Sequence, residues 1–161
     1  MKLSSKEIEF LQQSNYLEGE YDNIALEDAK KAWIYAKSNR KTINLDYILQ
    51  IHKKLMIRLN PDIAGKLREC AVYIGGRTCE QKPRQETEKE INSWLKNYYQ
   101  KSKTMESIIN SHISFEHLHP FRDGNGRTGR ILMNVQMLNA KLPLIIIHEG
   151  TEQSAYYRWF K

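Results

Sequence analysis

Only two cysteines occur in the chain, Cys70 and Cys79. They lie nine residues apart with no His or Cys at metal-ligand spacing nearby. This argues against a disulfide framework and a cysteine zinc site, and leaves reduced structural thiols. Long apolar runs are also missing. The longest, Leu142 to Ile147, is broken by Pro143 and falls far short of the roughly 20 residues that span a bilayer. The N-terminus lacks an apolar signal-peptide core, so a cytoplasmic protein with no membrane partner is expected. There is no internal repeat, low-complexity segment or linker. The chain's 161 residues suffice for one domain with a substantial core and are too few for two. Long basic runs are absent as well. The net charge of +6, from 25 Lys and Arg against 19 Asp and Glu, is spread along the chain without interleaved aromatics. That distribution gives no particular sign of a nucleic-acid partner, fits a mildly basic cleft for phosphorylated small molecules as well, and is explained in large part by solvated faces; charge alone decides nothing.

Helical periodicity is what the chain has in quantity. Leu3-Ser4-Ser5-Lys6-Glu7-Ile8 reads as a helix start, with Ser4 and Glu7 forming a capping box, and that helix runs toward a glycine stop at Gly19. Further apolar periods predict helices over residues 25–37, 46–59, 87–99, 105–118 and 127–140. Six or more helices with short connections make an all-α bundle. Residues 70–77 break the pattern. Cys70-Ala-Val-Tyr-Ile-Gly-Gly-Arg77 is β-prone and carries paired glycines, which predicts a short hairpin whose exposed edge could clamp an extended peptide.

The densest chemistry lies in His119-Pro-Phe-Arg-Asp-Gly-Asn-Gly-Arg-Thr-Gly-Arg130. Gly124 and Gly126 flank Asn125, so successive peptide N–H groups can converge on an anion. A helix starting near Arg127 adds its own free N–H groups and positive dipole end. Arg127 and Arg130, three residues apart, share a face and need an anion or carboxylate between them. Asp123 is a hard oxygen ligand suited to Mg²⁺ shared with phosphate oxygens. His119, set by Pro120 at the edge of this cradle, can take a proton from an incoming hydroxyl. Phe121 reads as the apolar anchor of the loop. No Gly-Lys-Ser/Thr follows the glycines, so this is not a P-loop. His112, His117 and His119 lack the spacing of a zinc helix.

This stretch resembles the signature of the Fic (filamentation induced by cAMP) family at all its defining positions. Pro61-Asp-Ile-Ala-Gly-Lys-Leu-Arg68 and Val72-Tyr-Ile-Gly-Gly76 resemble the family's flap region, and Leu142-Pro143 and Tyr156-Tyr157 its later landmarks. The likeness spans roughly residues 10 to 160. It implies an all-α Fic-type helical bundle with a short β-hairpin flap. It also implies a protein adenylyltransferase, which moves AMP from ATP to a hydroxyl of a target protein or of the enzyme itself and releases pyrophosphate. On that basis His119 is the base, and Asp123 holds Mg²⁺. Gly124, Asn125, Gly126, Arg127, Gly129 and Arg130 bind the nucleotide, with Arg130 at the γ-phosphate. Ile74, Gly75, Gly76 and Arg77 of the flap and Tyr156 and Tyr157 complete the nucleotide set, the hairpin also registering the target's backbone. A homodimer is a candidate assembly. The chain stops at Lys161, where related proteins continue into a helix that helps cover the adenine, so the expectation is a base pocket that is incomplete or supplied by a partner subunit, or a chain that is truncated.

Ser14-Asn-Tyr-Leu-Glu18-Gly19 resembles the inhibitory motif of self-restrained family members. Ser14 and Glu18 share a helical face. A carboxylate at a helix C-terminal end is disfavoured without a cation, and Arg130 is the expected one. The resemblance therefore divides the chain into an inhibitory helix region, residues 1–22, packed on a catalytic domain, residues 23–161. Alternatives within the fold are AMP removal from a modified protein, with Glu18 positioning water, and phosphoryl transfer. Against the latter stands Gly126, where phosphorylating relatives have lysine. A non-catalytic or antitoxin-associated module is disfavoured by intact His119 and Asp123.

Overall fold

The computed structural model describes residues 1–74, 77–79 and 81–161. Its elements are α1 (Ser5–Tyr16), α2 (Asn23–Ser38), α3 (Leu45–Met56), β1 (Val72–Ile74), β2 (Arg77–Cys79), α4 (Arg84–Trp94), α5 (Met105–Leu118), α6 (Asn125–Asn139) and α7 (Gln153–Tyr157). A π-helical turn, Leu95–Tyr99, extends α4, and a 3₁₀ turn, Arg158–Phe160, follows α7. β1 and β2 pair antiparallel with Val72 opposite Cys79 and Ile74 opposite Arg77. Gly75 and Gly76 of the expected flap lie outside the described residues. No helix among the described residues is long and apolar enough to cross a membrane.

α6 is the central element. Residues Arg127 through Met137 on it are all buried, as expected of a helix covered on every side. α5 packs along it, and α1, α2 and α3 also contact it. Trp33, Tyr47, Ile48, Ile51, Phe115 and Phe121 form the heart of the main core, each at most 1% exposed. Phe10 and Leu11 of α1 belong to this same core, so α1 is part of the bundle's packing.

Local chemistry fixes where α1 sits. Ser4 Oγ accepts from the Glu7 amide at 3.2 Å, and the Ser4 amide donates to Glu7 Oε2 at 2.8 Å, which is the expected capping box. The same Glu7 reaches α2, where its Oε1 accepts from Trp33 Nε1 at 2.9 Å and pairs with Lys37. Burial alone would raise the Glu7 pKa. The bonds from Lys37, Ser4 and Trp33 outweigh it and hold the group down at about 2. At the far end Gly19 takes the left-handed conformation, φ 72°, and reverses the chain before α2. After α6, Asn134 clamps the backbone of Ile145 from both sides, at 2.7 and 3.0 Å. This returns the C-terminal segment, and with it Tyr156, to the α1 side of α6.

Candidate active site

The loop from His119 to Gly124 is held from three directions. Arg68 donates from Nε to the His119 carbonyl at 2.6 Å and from its amide to the Pro120 carbonyl at 2.9 Å. Phe121 is fully buried and stacks on His52, ring centroids 3.7 Å apart and 4° from parallel. His52 Nδ1 accepts from the Gly65 amide at 2.9 Å, so Nε2 carries the hydrogen and donates to the Asp123 carbonyl at 2.8 Å. Burial lowers the His52 pKa to about 4, which keeps the ring neutral for this role. The sequence reading missed His52; its only signal was a histidine on the buried face of α3.

Asn125 and the glycines work differently from the expectation. Asn125 Oδ1 accepts from the Phe121 amide at 2.9 Å, and its Nδ2 donates to the Phe121 carbonyl at 2.8 Å. Its side chain is therefore spent on stapling the loop, and only its backbone is left for a phosphate. The helix begins at Asn125 rather than near Arg127, and Gly124 is the left-handed residue before it, φ 81°. A Cβ there would also meet Met56 Sδ at 2.8 Å. Gly126 is already helical and supplies space: its Cβ would stand 2.3 Å from Glu18 Oε1. Since the first helical bond runs from the Thr128 amide to the Gly124 carbonyl, the amides of residues 125–127 emerge at the open end of α6, where anions are favoured.

The two arginines part company. Arg127 is buried with Nη2 against Met56 Sδ at 3.5 Å and is not among the residues lining the cleft described below. Three residues make 300° of helical turn rather than 360°, and with α6 buried all round, that offset sends Arg127 toward α3. Arg130, 2% exposed, faces α1 and α7. Its Nε donates to Ser14 Oγ at 2.8 Å, and its Nη2 to the Ser14 carbonyl at 2.9 Å and to Glu18 Oε1 at 2.6 Å. Nη1 donates to the Tyr156 hydroxyl at 3.2 Å. That hydroxyl lies 2.8 Å from His112 Nε2. Burial, then the Arg130 charge, lowers the His112 pKa to about 3, so the neutral ring accepts the Tyr156 proton and leaves the phenolic oxygen to receive Arg130. Gly129 faces α5 instead of the cleft: a Cβ there would press on Glu116, His112 and Phe115.

A cleft of about 730 Å³ opens over this arrangement, lined among others by Glu18, Glu116, His119, Asp123, Gly126, Arg130, Tyr156 and Tyr157. That volume suits a nucleotide-sized ligand. His119 is itself left-handed, φ 50°, at the end of α5, and its Nδ1 lies 3.3 Å from the Glu116 carbonyl. As donor there, Nδ1 leaves the Nε2 lone pair for the cleft. Burial is the main cause lowering the His119 pKa, which favours the neutral, proton-accepting form. Asp123 is exposed; its Oδ1 accepts from the Gly124 amide at 2.7 Å, and its second oxygen has no such bond among the described residues. No group of three or more His, Cys, Asp or Glu suited to a metal occurs among the described residues. The donor set is thus one hard carboxylate beside an anion-favouring helix end. It fits Mg²⁺ held mainly by phosphate oxygens, and does not fit a protein cage. Tyr157 is 40% exposed and bonds the Leu17 carbonyl at 3.2 Å. Ile74 and Arg77 stand in the paired strands.

Comparison with known proteins gives a consistent picture. The family model for the Fic/DOC family matches residues 42–137. Protein adenylyltransferase Fic of Drosophila willistoni is 30% identical over 149 residues, covering 88% of this chain and 29% of that protein. The Drosophila virilis protein of the same name is 31% identical over 149 residues, with 88% and 30% covered. The chain therefore spans under a third of the length of these curated relatives. Among solved structures, Fic-1 from C. elegans superposes with a TM-score of 0.79 at 20% identity, covering 96% of this chain and 54% of that one. A Fic domain containing signaling protein from Bacteroides thetaiotaomicron superposes with a TM-score of 0.76 at 20% identity, covering 94% and 69%. At such identities the superpositions speak to the fold alone.

Proposed function

The chain belongs to the Fic/DOC family, and from that premise we propose that it is a protein adenylyltransferase restrained by its own Glu18. The observation that carries this reading is the Glu18–Arg130 contact, 2.6 Å, in the same cleft as His119. A buried arginine at the open end of α6 is the natural partner for the terminal phosphate of ATP, and Glu18 holds it. Similarity to proteins named adenylyltransferases supports AMP as the transferred group.

In the active state a target hydroxyl oxygen attacks the α-phosphorus. The bond from that phosphorus to the α,β-bridging oxygen breaks, pyrophosphate leaves, and the hydroxyl proton passes to His119 Nε2. The left-handed cap at His119, the Arg68 bonds and the Phe121–His52 stack hold the imidazole against the cleft, so most of the rate gain comes from positioning. Amides 125–127 receive phosphate oxygens without reorganisation. Asp123 is the residue that would hold Mg²⁺, which supplies charge neutralisation on the phosphates when bound. A cytoplasmic location, hydroxyl-bearing protein targets and self-modification belong to the same reading.

The test is incorporation of ³²P from α-labelled and γ-labelled ATP into protein, with wild type and Glu18→Gly. Label from the α-phosphate alone is expected, rising at least tenfold in Glu18→Gly and disappearing in Glu18→Gly/His119→Ala. Label from the γ-phosphate would replace AMP transfer with phosphorylation. Equal and ready α-labelling in wild type and Glu18→Gly would remove the inhibitory role.

A further inference from the structure

One charged group in the cleft has no counterpart in this scheme. Glu116 lies on α5 one turn before His119, lines the cleft, and its Oε1 is buried without a hydrogen-bond partner among the described residues. The residue as a whole is half-buried, but a carboxylate with one oxygen so enclosed is disfavoured unless it finds a cation or keeps a proton. Space for it has been made on α6. A Cβ at Gly129 would stand 2.5 Å from Glu116 Oε1, although glycine inside a helix costs stability relative to alanine. The next residue is Arg130, whose bonds go to Ser14, Glu18 and Tyr156 and leave Glu116 aside.

Around Glu116 stand Glu18 beyond the end of α1, Arg130 from α6 and Tyr156 from α7, His112 from its own helix beside Gly129, and His119 at that helix's C-cap, lining the same cleft. Asp123 and Arg122 stand at the mouth of the same cleft. His112 is neutral and Tyr156 keeps its proton, both through burial. The balance at Glu116 is therefore set by burial and by the two charges of the Arg130–Glu18 pair. Burial raises its pKa most, Arg130 lowers it and Glu18 raises it, to about 7.

We propose that Glu116 is a further residue setting the nucleotide affinity of the site: protonated, it lets Arg130 take a terminal phosphate, and ionised, it competes with that phosphate for Arg130. The proposal rests on the nucleotide reading above. A phosphate arriving at Arg130 in place of Glu18 brings more negative charge to the same spot, so binding drives a proton onto Glu116. By linkage, nucleotide affinity then falls as pH rises above neutrality. Glutamine at this position, permanently neutral and of the same shape, abolishes both effects.

The experiment is calorimetric titration of the full chain with a non-hydrolysable ATP analogue and Mg²⁺. It is run from pH 6 to 8.5 in buffers of different ionisation enthalpy, for Glu18→Gly and for Glu18→Gly/Glu116→Gln. Expected is uptake of up to about one proton on binding in the first protein and less in the second. The affinity of the first should fall about fivefold to tenfold relative to the second between pH 7 and 8.5. Equal proton uptake and parallel pH profiles overturn the role of Glu116 and leave the nucleotide site standing. No analogue binding by either protein overturns the nucleotide reading itself. If the glutamine variant fails to fold, the ¹³C carboxyl resonance of Glu116 in the Glu18→Gly protein decides. Its titration midpoint should rise when the analogue binds, and an unchanged midpoint overturns the proposal.

Discussion

At the scale of single residues, three buried polar groups, His112, Tyr156 and Arg130, depend on one another. Tyr156 donates to His112 and accepts from Arg130, so Tyr156→Phe leaves the His112 acceptor unpaired and removes one of the arginine's anchors. A loss of about 1–3 kcal/mol is expected for an orphaned buried acceptor, read as a lower denaturation midpoint. An unchanged midpoint would mean that the His112–Tyr156–Arg130 chain does not form. Glu116 offers a prediction with the opposite sign. Its folded pKa of about 7 lies above the ordinary carboxylate value, so between those two values the folded chain holds a proton that the unfolded chain has released. Stability therefore falls as pH rises through that window and stays low above it. Glu116→Gln escapes the loss. Its melting temperature should exceed that of wild type at pH 8 by the equivalent of roughly 1–3 kcal/mol, the gap closing near pH 5. A gap independent of pH would show that Glu116 ionises normally.

At the scale of elements, α1 is where stability and the proposed restraint meet. Its N-terminal capping box anchors the helix that delivers Ser14 and Glu18 to Arg130 from its other end. Ser4→Ala should cost about 0.5–2 kcal/mol and loosen that delivery. A several-fold rise in AMP incorporation is expected, smaller than for Glu18→Gly, and unchanged incorporation would separate the cap from the restraint. Glu7 adds an acid limit. Its pKa is depressed to about 2, so its contribution is present above the ordinary carboxylate range and is lost as pH falls toward 2. Glu7→Gln should accordingly lower stability at pH 7 and converge with wild type at strongly acid pH, in urea midpoints measured across that range.

At the scale of the whole molecule, α1 and the rest of the bundle share one core. Phe10 and Leu11 are 2% and 1% exposed within the cluster that holds Trp33 and Phe121. Burying each is worth about 1.5–3 kcal/mol, and domains of this kind are stable by only about 5–15 kcal/mol in total. Deleting residues 1–22 should therefore cripple the fold, whereas Glu18→Gly, which removes one partner of the buried Arg130, should release activity with the fold intact and a far smaller fall in melting temperature. A truncated chain that melts like wild type would mean that the segment is a separable appendage.

What the sequence determined by itself was the set of local parts. The loop and helix start between His119 and Arg130 were legible as local structure because the residues are contiguous, and a turn joined to a helix start has few conformations. The capping box at Ser4 and the all-α class were legible for the same reason, as patterns within one element. The pairing of Glu18 with Arg130 was expected through the family resemblance. Its 2.6 Å contact is a product of α1, α6 and α7 packing together. Only that packing decided that Arg127 turns toward α3, that Asn125 staples Phe121, that Gly126 and Gly129 act as spaces for carboxylates, and that His52 carries the loop. Each of these joins residues from different elements or selects a side of a helix buried all round. One-dimensional spacing carries no signal for such choices, because they follow from which surfaces the bundle presses together.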